Sequence, residues 1–222
     1  MFNKNRNYEE PSFEILCDSS SFELKEAYNS LCTNVLYLPI ADKCKKIAVT
    51  SSVSGEGKTS VAVNLAISLA GNLLDKRVLL VEADMRTPHV AQLLRNYITK
   101  LEKVGLSDYL SGAVEVPPTL NTTFSNLDVI LAGNITNNPA GLICSERMTS
   151  FISDCEEKYD YVVFDTPPIN AVSDSILLIN KVNGYILATR TRYSKVASVD
   201  TALETLKSVG AEILGIVLTD NK

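Results

Sequence analysis

From residue 46 onward, short apolar segments of strand-like composition alternate with helical segments. Continuous apolar strands separated by helices are typical of a parallel sheet that is buried on both faces. The predicted fold is therefore α/β and doubly wound, with a mostly parallel sheet and helices on both faces. The strands are predicted at 46–51, 77–83, 127–132, 160–165, 184–190 and 212–218, and the helices between them at 58–70, 88–97, 138–157, 174–181 and 195–208.

The chain has 222 residues, a length typical of one domain. Residues 1–19 are polar and are expected to form a flexible N-terminal segment or to lie on the surface, and residues 20–222 are expected to form the domain. Apolar residues at helical spacing predict an amphipathic helix over 21–37. Its start is indicated by Ser20 and Glu23, which have the spacing of a capping box.

Charge and composition exclude several classes of protein. The formal net charge is −5, which argues against a broad nucleic-acid-binding surface, so no nucleic-acid partner is expected. No apolar run approaches the roughly 18 residues of a membrane span, and the first residues do not form a signal peptide. The cysteines are five in number and widely spaced, which predicts free thiols and a cytoplasmic location.

The segment SVSGEGKTS, residues 52–60, follows the first predicted strand directly. It matches the phosphate-loop pattern except that Ser52 stands at the first glycine position. Backbone N–H groups of such a turn and of the helix after it wrap the phosphates of a nucleotide, so ATP and Mg²⁺ are expected ligands. Lys58 is predicted to bridge the β- and γ-phosphates, and the Thr59 hydroxyl to bind Mg²⁺. The predicted nucleotide-binding residues are Ser54, Gly55, Glu56, Gly57, Lys58, Thr59, Ser60 and Arg190.

Acidic residues end two of the other predicted strands. Glu82 and Asp84 lie two positions apart after the second strand, and Asp165 ends the fourth. Charges are costly at such positions unless a cation or a proton transfer offsets the cost. We therefore predict a metal site of Thr59, Asp84 and Asp165 and a catalytic set of Lys58, Glu82, Asp84 and Asp165. Two simpler interpretations stay open: a solvated acid paired with Arg86, and a strand-ending aspartate that caps a turn.

These motifs together resemble those of the bacterial tyrosine kinases, the cytoplasmic kinases of capsule and exopolysaccharide export. The segments that carry the resemblance are SGEGKTS, VLLVEADMRTP, GLSDYLSG, NPAGLICSERM and YDYVVFDTPP. The family belongs to the deviant-Walker ATPases, a group within the P-loop NTPases that includes septum-site and chromosome-partitioning ATPases. Those relatives carry a signature lysine where this chain has Val53, which favours the kinase branch.

The resemblance implies transfer of the γ-phosphate of ATP to a tyrosine hydroxyl. A carboxylate of the pair Glu82 and Asp84 would then accept or orient the phenol proton. It also implies a membrane-bound activator of the export system, which would recruit this chain to the inner face of the plasma membrane, and self-association.

The chain departs from the family pattern at several positions. Glu82 replaces an aspartate, and Asn29 and Cys32 replace two arginines that the family uses in ring assembly. The family ends in a tyrosine cluster, whereas residues 219–222 contain no tyrosine. Two alternatives therefore stay open: a regulatory ATPase switch of the septum-site type without kinase activity, and a nucleotide-binding subunit with little catalysis. His89, the only histidine, is interpreted as structural.

Overall fold

The computed structural model describes residues 14–100 and 102–220. Within this part of the chain one sheet has the strand order β3-β4-β2-β5-β1-β6-β7. Neighbouring strands are parallel except for the pair of β3 and β4, so the predicted doubly wound, mostly parallel sheet is confirmed. The strands are β1 (Lys45–Ser51), β2 (Val78–Glu82), β3 (Leu120–Asn121), β4 (Leu127–Ile130), β5 (Tyr161–Asp165), β6 (Gly184–Arg190) and β7 (Ile213–Thr219).

Helices cover both faces of the sheet and enclose two apolar clusters. Ala48 and Val49 are successive residues of β1, and they belong to opposite clusters because strand side chains alternate between faces. The helices are α1 (Phe22–Leu36), α2 (Lys58–Asn72), α3 (Val90–Leu93), α4 (Leu106–Leu110), α5 (Pro139–Ile143), α6 (Glu146–Lys158) and α7 (Val196–Ser208), and a 3₁₀ turn covers Ile176–Leu178. In the described ranges, no helix combines the length and apolar character that a membrane crossing requires.

Several predicted helices are shorter than the apolar pattern suggested. The helix predicted over 88–97 is reduced to α3, and the one over 174–181 is the 3₁₀ turn. The helix predicted over 138–157 is two helices, because the Ser145 hydroxyl accepts the N–H of Met148 and starts α6. The capping residue of α1 is Ser21, whose hydroxyl accepts the N–H of Leu24, and not the predicted Ser20.

The described part of the N-terminal segment lies along α2. Leu16 is buried, and its N–H donates to the Asn64 side chain at 2.9 Å. The Asn64 amide in turn donates to the carbonyl of Glu14 at 2.9 Å. These bonds attach the chain before α1 to the most buried helix. Residues 1–13 of the predicted flexible segment lie outside the described residues.

The order of the central strands brings three predicted motifs to one edge of the sheet. Strand β5 lies between β2 and β1, and Asp165 is in register with Glu82 on one side and with Val49 on the other. The carboxyl ends of parallel strands meet at the same edge, which is where ligands bind in open α/β sheets. The loops that leave β1, β2 and β5 therefore surround a single cleft.

Candidate functional site

The phosphate loop connects β1 to α2 through two glycines in the left-handed region. Gly55 and Gly57 both have φ of +84°, a conformation that favours glycine. Gly57 is the N-cap residue of α2, and no side chain caps that end of the helix. The first N–H groups of α2 are thus not used by a capping side chain, and the positive end of the helix faces the loop.

The Lys58 ammonium lies between the acids of the two neighbouring strand ends. Its Nζ is 2.9 Å from Asp84 Oδ2, 3.6 Å from Asp165 Oδ1 and 3.2 Å from the Thr59 hydroxyl. Burial disfavours the charge, but Asp165 and Asp84 together raise the pKa of Lys58 above its ordinary value. Four side chains that the sequence assigned to one site are thus brought together from three segments of the chain.

The carboxylate of Asp84 is held by the loop that follows it. Its Oδ1 accepts the N–H groups of Arg86 at 3.3 Å and Thr87 at 3.0 Å, and its Oδ2 accepts the Thr87 hydroxyl at 3.2 Å. With Lys58, this makes four donors for one carboxylate. Asp84 is therefore fixed in orientation by its own turn, with the charged partner on the side of α2.

Glu82 has different partners, although it lies only two residues away. Its Oε1 accepts the N–H of Val90 at 2.6 Å, and its Oε2 accepts the N–H of Ala132 at 3.0 Å. Burial, with a smaller contribution from Asp165, raises the pKa of Glu82 to about 7. Both oxygens join backbone segments to each other, so Glu82 ties the start of α3 to the end of β4.

The carboxylate of Asp165 lacks hydrogen-bond partners. The residue is fully buried, and neither carboxylate oxygen accepts a hydrogen bond from the described residues. Burial raises the pKa of Asp165, and the charge of Lys58 opposes that rise. Buried carboxylate oxygens are ordinarily paired, so an orphaned pair beside a lysine indicates a site for a cation or a ligand.

The donor set suits Mg²⁺ better than a metal held by protein alone. No cluster of three or more His, Cys, Asp or Glu side chains able to hold a metal ion occurs in residues 14–100 and 102–220. Mg²⁺ in nucleotide sites takes one or two carboxylates and completes its shell with phosphate oxygens and water. The orphaned Asp165 oxygens, with Asp84 and the Thr59 hydroxyl nearby, fit that requirement.

An ion pair that the sequence analysis missed joins the two acidic loops. Arg86 donates to both oxygens of Asp174, from Nε at 2.6 Å and from Nη2 at 3.0 Å. Arg86 is thus paired with a buried acid beyond the Asp165 loop, and the simpler interpretation that it pairs with a strand-end acid is wrong. No sequence pattern marked Asp174, because its partner is 88 residues away along the chain.

The side chain of Glu56 is part of the loop's support. It is fully buried and accepts hydrogen bonds from the hydroxyls of Ser52 and Ser194 and from the N–H of Val53. The carbonyl of Glu56 accepts the Thr219 hydroxyl at 2.9 Å. Only the backbone N–H of Glu56 therefore remains for a phosphate. The Glu56 carboxylate connects the loop to the segment after β6, and the Glu56 carbonyl connects it to the end of β7.

Arg190 and Tyr193 lie against the outer side of the phosphate loop. Arg190 donates to the Gly55 carbonyl at 3.3 Å, and the Tyr193 hydroxyl donates to the Ser54 carbonyl at 3.1 Å. The Arg190 guanidinium is 5.0 Å from the centre of the Tyr193 ring. Arg190, which the sequence assigned to the nucleotide, is thus beside the loop, and its role in nucleotide binding stays a prediction. Tyr193 is a neighbour that the sequence did not assign to the nucleotide.

Comparison with known proteins identifies the family. Residues 44–215 match the AAA domain family. The chain is 33% identical over 211 residues to the tyrosine-protein kinase CpsD of Streptococcus pneumoniae serotype 4, a match that covers 94% of this chain and 90% of that protein. The chain belongs to the bacterial tyrosine-protein kinase family. A second member, YwqD of Bacillus subtilis, is 32% identical over 200 residues, which is 89% of this chain and 81% of YwqD.

Solved structures of the family have the same fold. The kinase domain of the Escherichia coli tyrosine kinase ETK superimposes with a TM-score of 0.80 at 28% identity, covering 88% of this chain and 75% of that one. The septum site-determining protein MinD of Pyrococcus horikoshii, in complex with Mg-ADP, has a TM-score of 0.63 at 23% identity, covering 79% and 70%. The predicted P-loop NTPase-like fold is confirmed.

Proposed function

We propose that this chain is an ATP-dependent protein-tyrosine kinase. The observation that carries the proposal is the position of the Lys58 ammonium, within 3.6 Å of both Asp84 and Asp165 at the end of a phosphate loop. Its support is the family, whose members CpsD and YwqD are named tyrosine-protein kinases. The substrates are ATP and a tyrosine hydroxyl, and the reaction moves the γ-phosphoryl group from the first to the second.

In this proposal the phosphate loop binds the triphosphate and Lys58 stabilises the transferring group. The N–H groups of residues 54–60 bind the β- and γ-phosphates, and the N-terminal end of α2 adds its positive potential. The Lys58 ammonium supplies a full charge at the oxygens where negative charge is spread during the transfer. Arg190 and Tyr193 support the loop from outside through the Gly55 and Ser54 carbonyls.

Thr59, Asp84 and Asp165 would hold the Mg²⁺ ion. When bound, Mg²⁺ neutralises charge on the β- and γ-phosphates. The protein contributes a hydroxyl and two carboxylates, of which Asp84 is oriented by the N–H groups of Arg86 and Thr87. Glu82 acts as a positioning residue, because both of its oxygens already accept backbone N–H groups.

We infer that the kinase acts in the synthesis and export of a capsule or exopolysaccharide, together with a membrane-bound activator. The support is the family resemblance and the different lengths of its members. The chain matches only 26% of the tyrosine-protein kinase Wzc of Salmonella typhi, so the kinase region is one part of a longer protein there. A separate partner that supplies the remaining functions is consistent with that difference, and it would recruit the kinase to the membrane.

The test is transfer of radiolabel from γ-labelled ATP to tyrosine, with and without the cytoplasmic segment of the activator. We expect phosphotyrosine in the wild-type protein and none in Lys58→Ala, which loses the charge that binds the phosphates. Lys100→Ala is the matched control, since the Lys100 side chain is 82% exposed and contacts only Glu102 among the described residues. Wild-type protein without phosphotyrosine under either condition would refute the kinase activity.

One observation on α1 keeps the ATPase switch as a second candidate. The resemblance implies arginines at two positions of α1, but Cys32 is buried against the carbonyl of Ser68 and Asn29 bonds to Glu26 and Asn72. These side chains offer no bidentate donor to a neighbouring subunit. Release of phosphate without phosphotyrosine, together with ATP-dependent dimers in solution, would select the switch over the kinase.

A further inference from the structure

Tyr193 contacts the phosphate loop from its outer side, in the segment that follows β6. Its hydroxyl donates to the Ser54 carbonyl oxygen at 3.1 Å. Its ring lies so close to Gly55 that a Cβ atom there would be 3.0 Å from the Tyr193 hydroxyl oxygen. Tyr193 is nevertheless 50% exposed. One side of this tyrosine therefore holds the loop, and the other side is open to a second protein molecule.

The hydrogen bond to Ser54 fixes the direction of one peptide unit of the loop. In a planar trans peptide, the C=O and the N–H of the same unit point in opposite directions. Because the Ser54 carbonyl points at Tyr193, the N–H of Gly55 points away from it. The Gly55 carbonyl accepts Arg190, so the N–H of Glu56 points away from Arg190. Both N–H groups bind phosphates in the proposed function, and Tyr193 orients the first of them.

The turn that carries Tyr193 is held by contacts that do not involve the Tyr193 side chain. The N–H groups of Tyr193 and Ser194 donate to the Arg190 carbonyl at 3.3 and 2.9 Å. The Ser194 hydroxyl accepts the N–H of Arg190 at 2.8 Å and donates to the Glu56 carboxylate. The Tyr193 side chain can therefore leave the Ser54 carbonyl while the turn and its connection to the loop persist.

Two cations beside Tyr193 have no acidic partner. Arg192 and Lys195 lie one and two residues from Tyr193 in the chain, and both are exposed. Within residues 14–100 and 102–220, neither forms an ion pair. Arginine and lysine side chains bind phosphate groups through charge-assisted hydrogen bonds. A phosphate on Tyr193 would therefore have cationic partners close at hand once the ring has turned outward.

A phosphate on Tyr193 would also end the bond between this tyrosine and the loop. A phenol oxygen that carries a phosphate has no hydrogen, so it cannot donate to the Ser54 carbonyl. The phosphate adds a charge of about −1.5 to −2 at pH 7. That charge would lie beside the loop that binds the triphosphate of ATP in the proposed function, and like charges repel each other. Both changes weaken the binding of the nucleotide.

We propose that Tyr193 is phosphorylated by a second copy of this chain and that the phosphate lowers the affinity of the loop for ATP. The Tyr193 hydroxyl lies on the carbonyl side of the loop, whereas Lys58 lies against Asp84 and Asp165. The loop therefore separates the hydroxyl from the γ-phosphate in its own molecule, and the transfer takes place between two molecules.

The transfer to Tyr193 is the reaction of the proposed function with this chain as the acceptor. The phenol O–H bond breaks and its proton is released to water, while the phenol oxygen forms a bond to the γ-phosphorus of ATP. The bond between that phosphorus and the bridging oxygen breaks, and ADP leaves with the electron pair. The inference rests on the proposed kinase function and adds a modification site by which the product of the kinase slows it.

The first experiment incubates the wild-type protein with ATP, Mg²⁺ and the cytoplasmic segment of the activator, and maps phosphotyrosine by mass spectrometry. We expect phosphate on Tyr193, formed at a rate per molecule that rises with protein concentration. Phosphate on other tyrosines but not on Tyr193, or a rate independent of protein concentration, would overturn the inference and leave the kinase function standing. The absence of any phosphotyrosine would overturn both.

The second experiment incorporates phosphotyrosine at residue 193 during translation, so the modification does not depend on kinase activity. We expect the Kd for ATP to rise about 10-fold relative to the unmodified protein. Tyr193→Phe loses only the hydrogen bond to Ser54, so its Kd should rise about 3-fold. A modified protein that binds ATP no more weakly than Tyr193→Phe would overturn the effect of the phosphate.

Phosphotyrosine incorporated at residue 37 is the matched control. Tyr37 is 78% exposed and directly follows Leu36, whose carbonyl accepts the side chain of Lys45. Lys45 is the first residue of β1, so Tyr37 is close to the edge of the sheet opposite the phosphate loop. We expect the control to bind ATP like the unmodified protein. An equal rise in Kd at both positions would overturn a specific effect of Tyr193 on the loop.

Discussion

Strands β2 and β5 are neighbours in the sheet, and buried acids lie where each strand ends. Every carboxylate oxygen of Glu82, at the end of β2, and of Asp84, in the loop after it, accepts at least one hydrogen bond. Asp165, the last residue of β5, is as deeply buried, yet neither of its carboxylate oxygens accepts a hydrogen bond from the described residues. Glu82 and Asp84 accept hydrogen bonds from backbone N–H groups, whereas the Asp165 carboxylate has no donor.

The difference shows that burial of an acid does not by itself mark a ligand site. A satisfied carboxylate can be a structural tie, as Glu82 is between α3 and the end of β4. An unsatisfied one is kept only where another function offsets its cost. Arg86, after β2, donates to Asp174, after β5, and this ion pair connects the two loops. It therefore helps to keep Glu82 and Asp165 at a constant distance from each other.

Replacing Lys58 with methionine removes the cation that both buried acids face. Because the acids lose their partner, we expect the free energy of unfolding to fall by about 3–5 kcal/mol and ATP binding to be lost. Denaturant titration and nucleotide binding measure the two effects. The double variant Lys58→Met/Asp165→Asn removes the open acid as well and should regain part of the stability. An equal loss of stability in the single and the double variant would contradict the view that the Asp165 carboxylate has no partner other than Lys58.

Glu82→Ala tests the structural tie. The variant leaves the N–H groups of Val90 and Ala132 without an acceptor in a buried place. We expect the free energy of unfolding to fall by about 3 kcal/mol. Glu115→Ala is the control, since the Glu115 side chain is 85% exposed, and it should change little. If the two variants unfold at the same denaturant concentration, the hydrogen bonds of Glu82 to Val90 and Ala132 do not stabilise the fold.

The pH dependence of stability gives a second test of Glu82. Burial raises its pKa from the ordinary 4.5 to about 7, so the folded protein binds its proton more tightly than the unfolded chain does. That contribution to stability is fully present below about pH 4.5, and about 3 kcal/mol of it is lost as the pH rises to 7. Glu82→Gln should lack this fall when both proteins are titrated between these limits. A parallel pH profile in the two proteins would exclude the shift.

Arg86→Gln tests the link between the loops and should have the smallest effect on stability. The Arg86 side chain is 42% exposed, so solvent screens the pair and the expected loss is about 1 kcal/mol. We expect a clear fall in the kinase rate even though the loss of stability is small. Without the ion pair, the loops that follow β2 and β5 are no longer connected, so Asp84 and Asp165 are held less precisely relative to each other. Arg95→Gln, an exposed change just after α3, is the control. A normal rate in Arg86→Gln would show that the loops are held independently.

Six strands were predicted to within two residues at either end, since buried strands are continuous apolar runs with polar ends. Short elements were not predicted correctly: β3 and α4 were missed, α3 has four residues, and the 3₁₀ turn was predicted as a helix. Their apolar residues pack against the sheet whether or not a helix forms, so the pattern alone does not set their length. The site residues Lys58, Thr59, Asp84 and Asp165 were predictable, because each follows a strand in a recognisable motif.

The amino-acid sequence alone determined the α/β class, the phosphate loop and the family, because apolar periodicity and short motifs are local properties of the chain. Which carboxylates accept hydrogen bonds depends on contacts that form only in the folded protein. The partners of Glu82 are backbone groups 8 and 50 residues away, and that of Arg86 is a side chain 88 residues away. Contacts of this kind depend on the order of strands in the sheet, which local patterns do not contain.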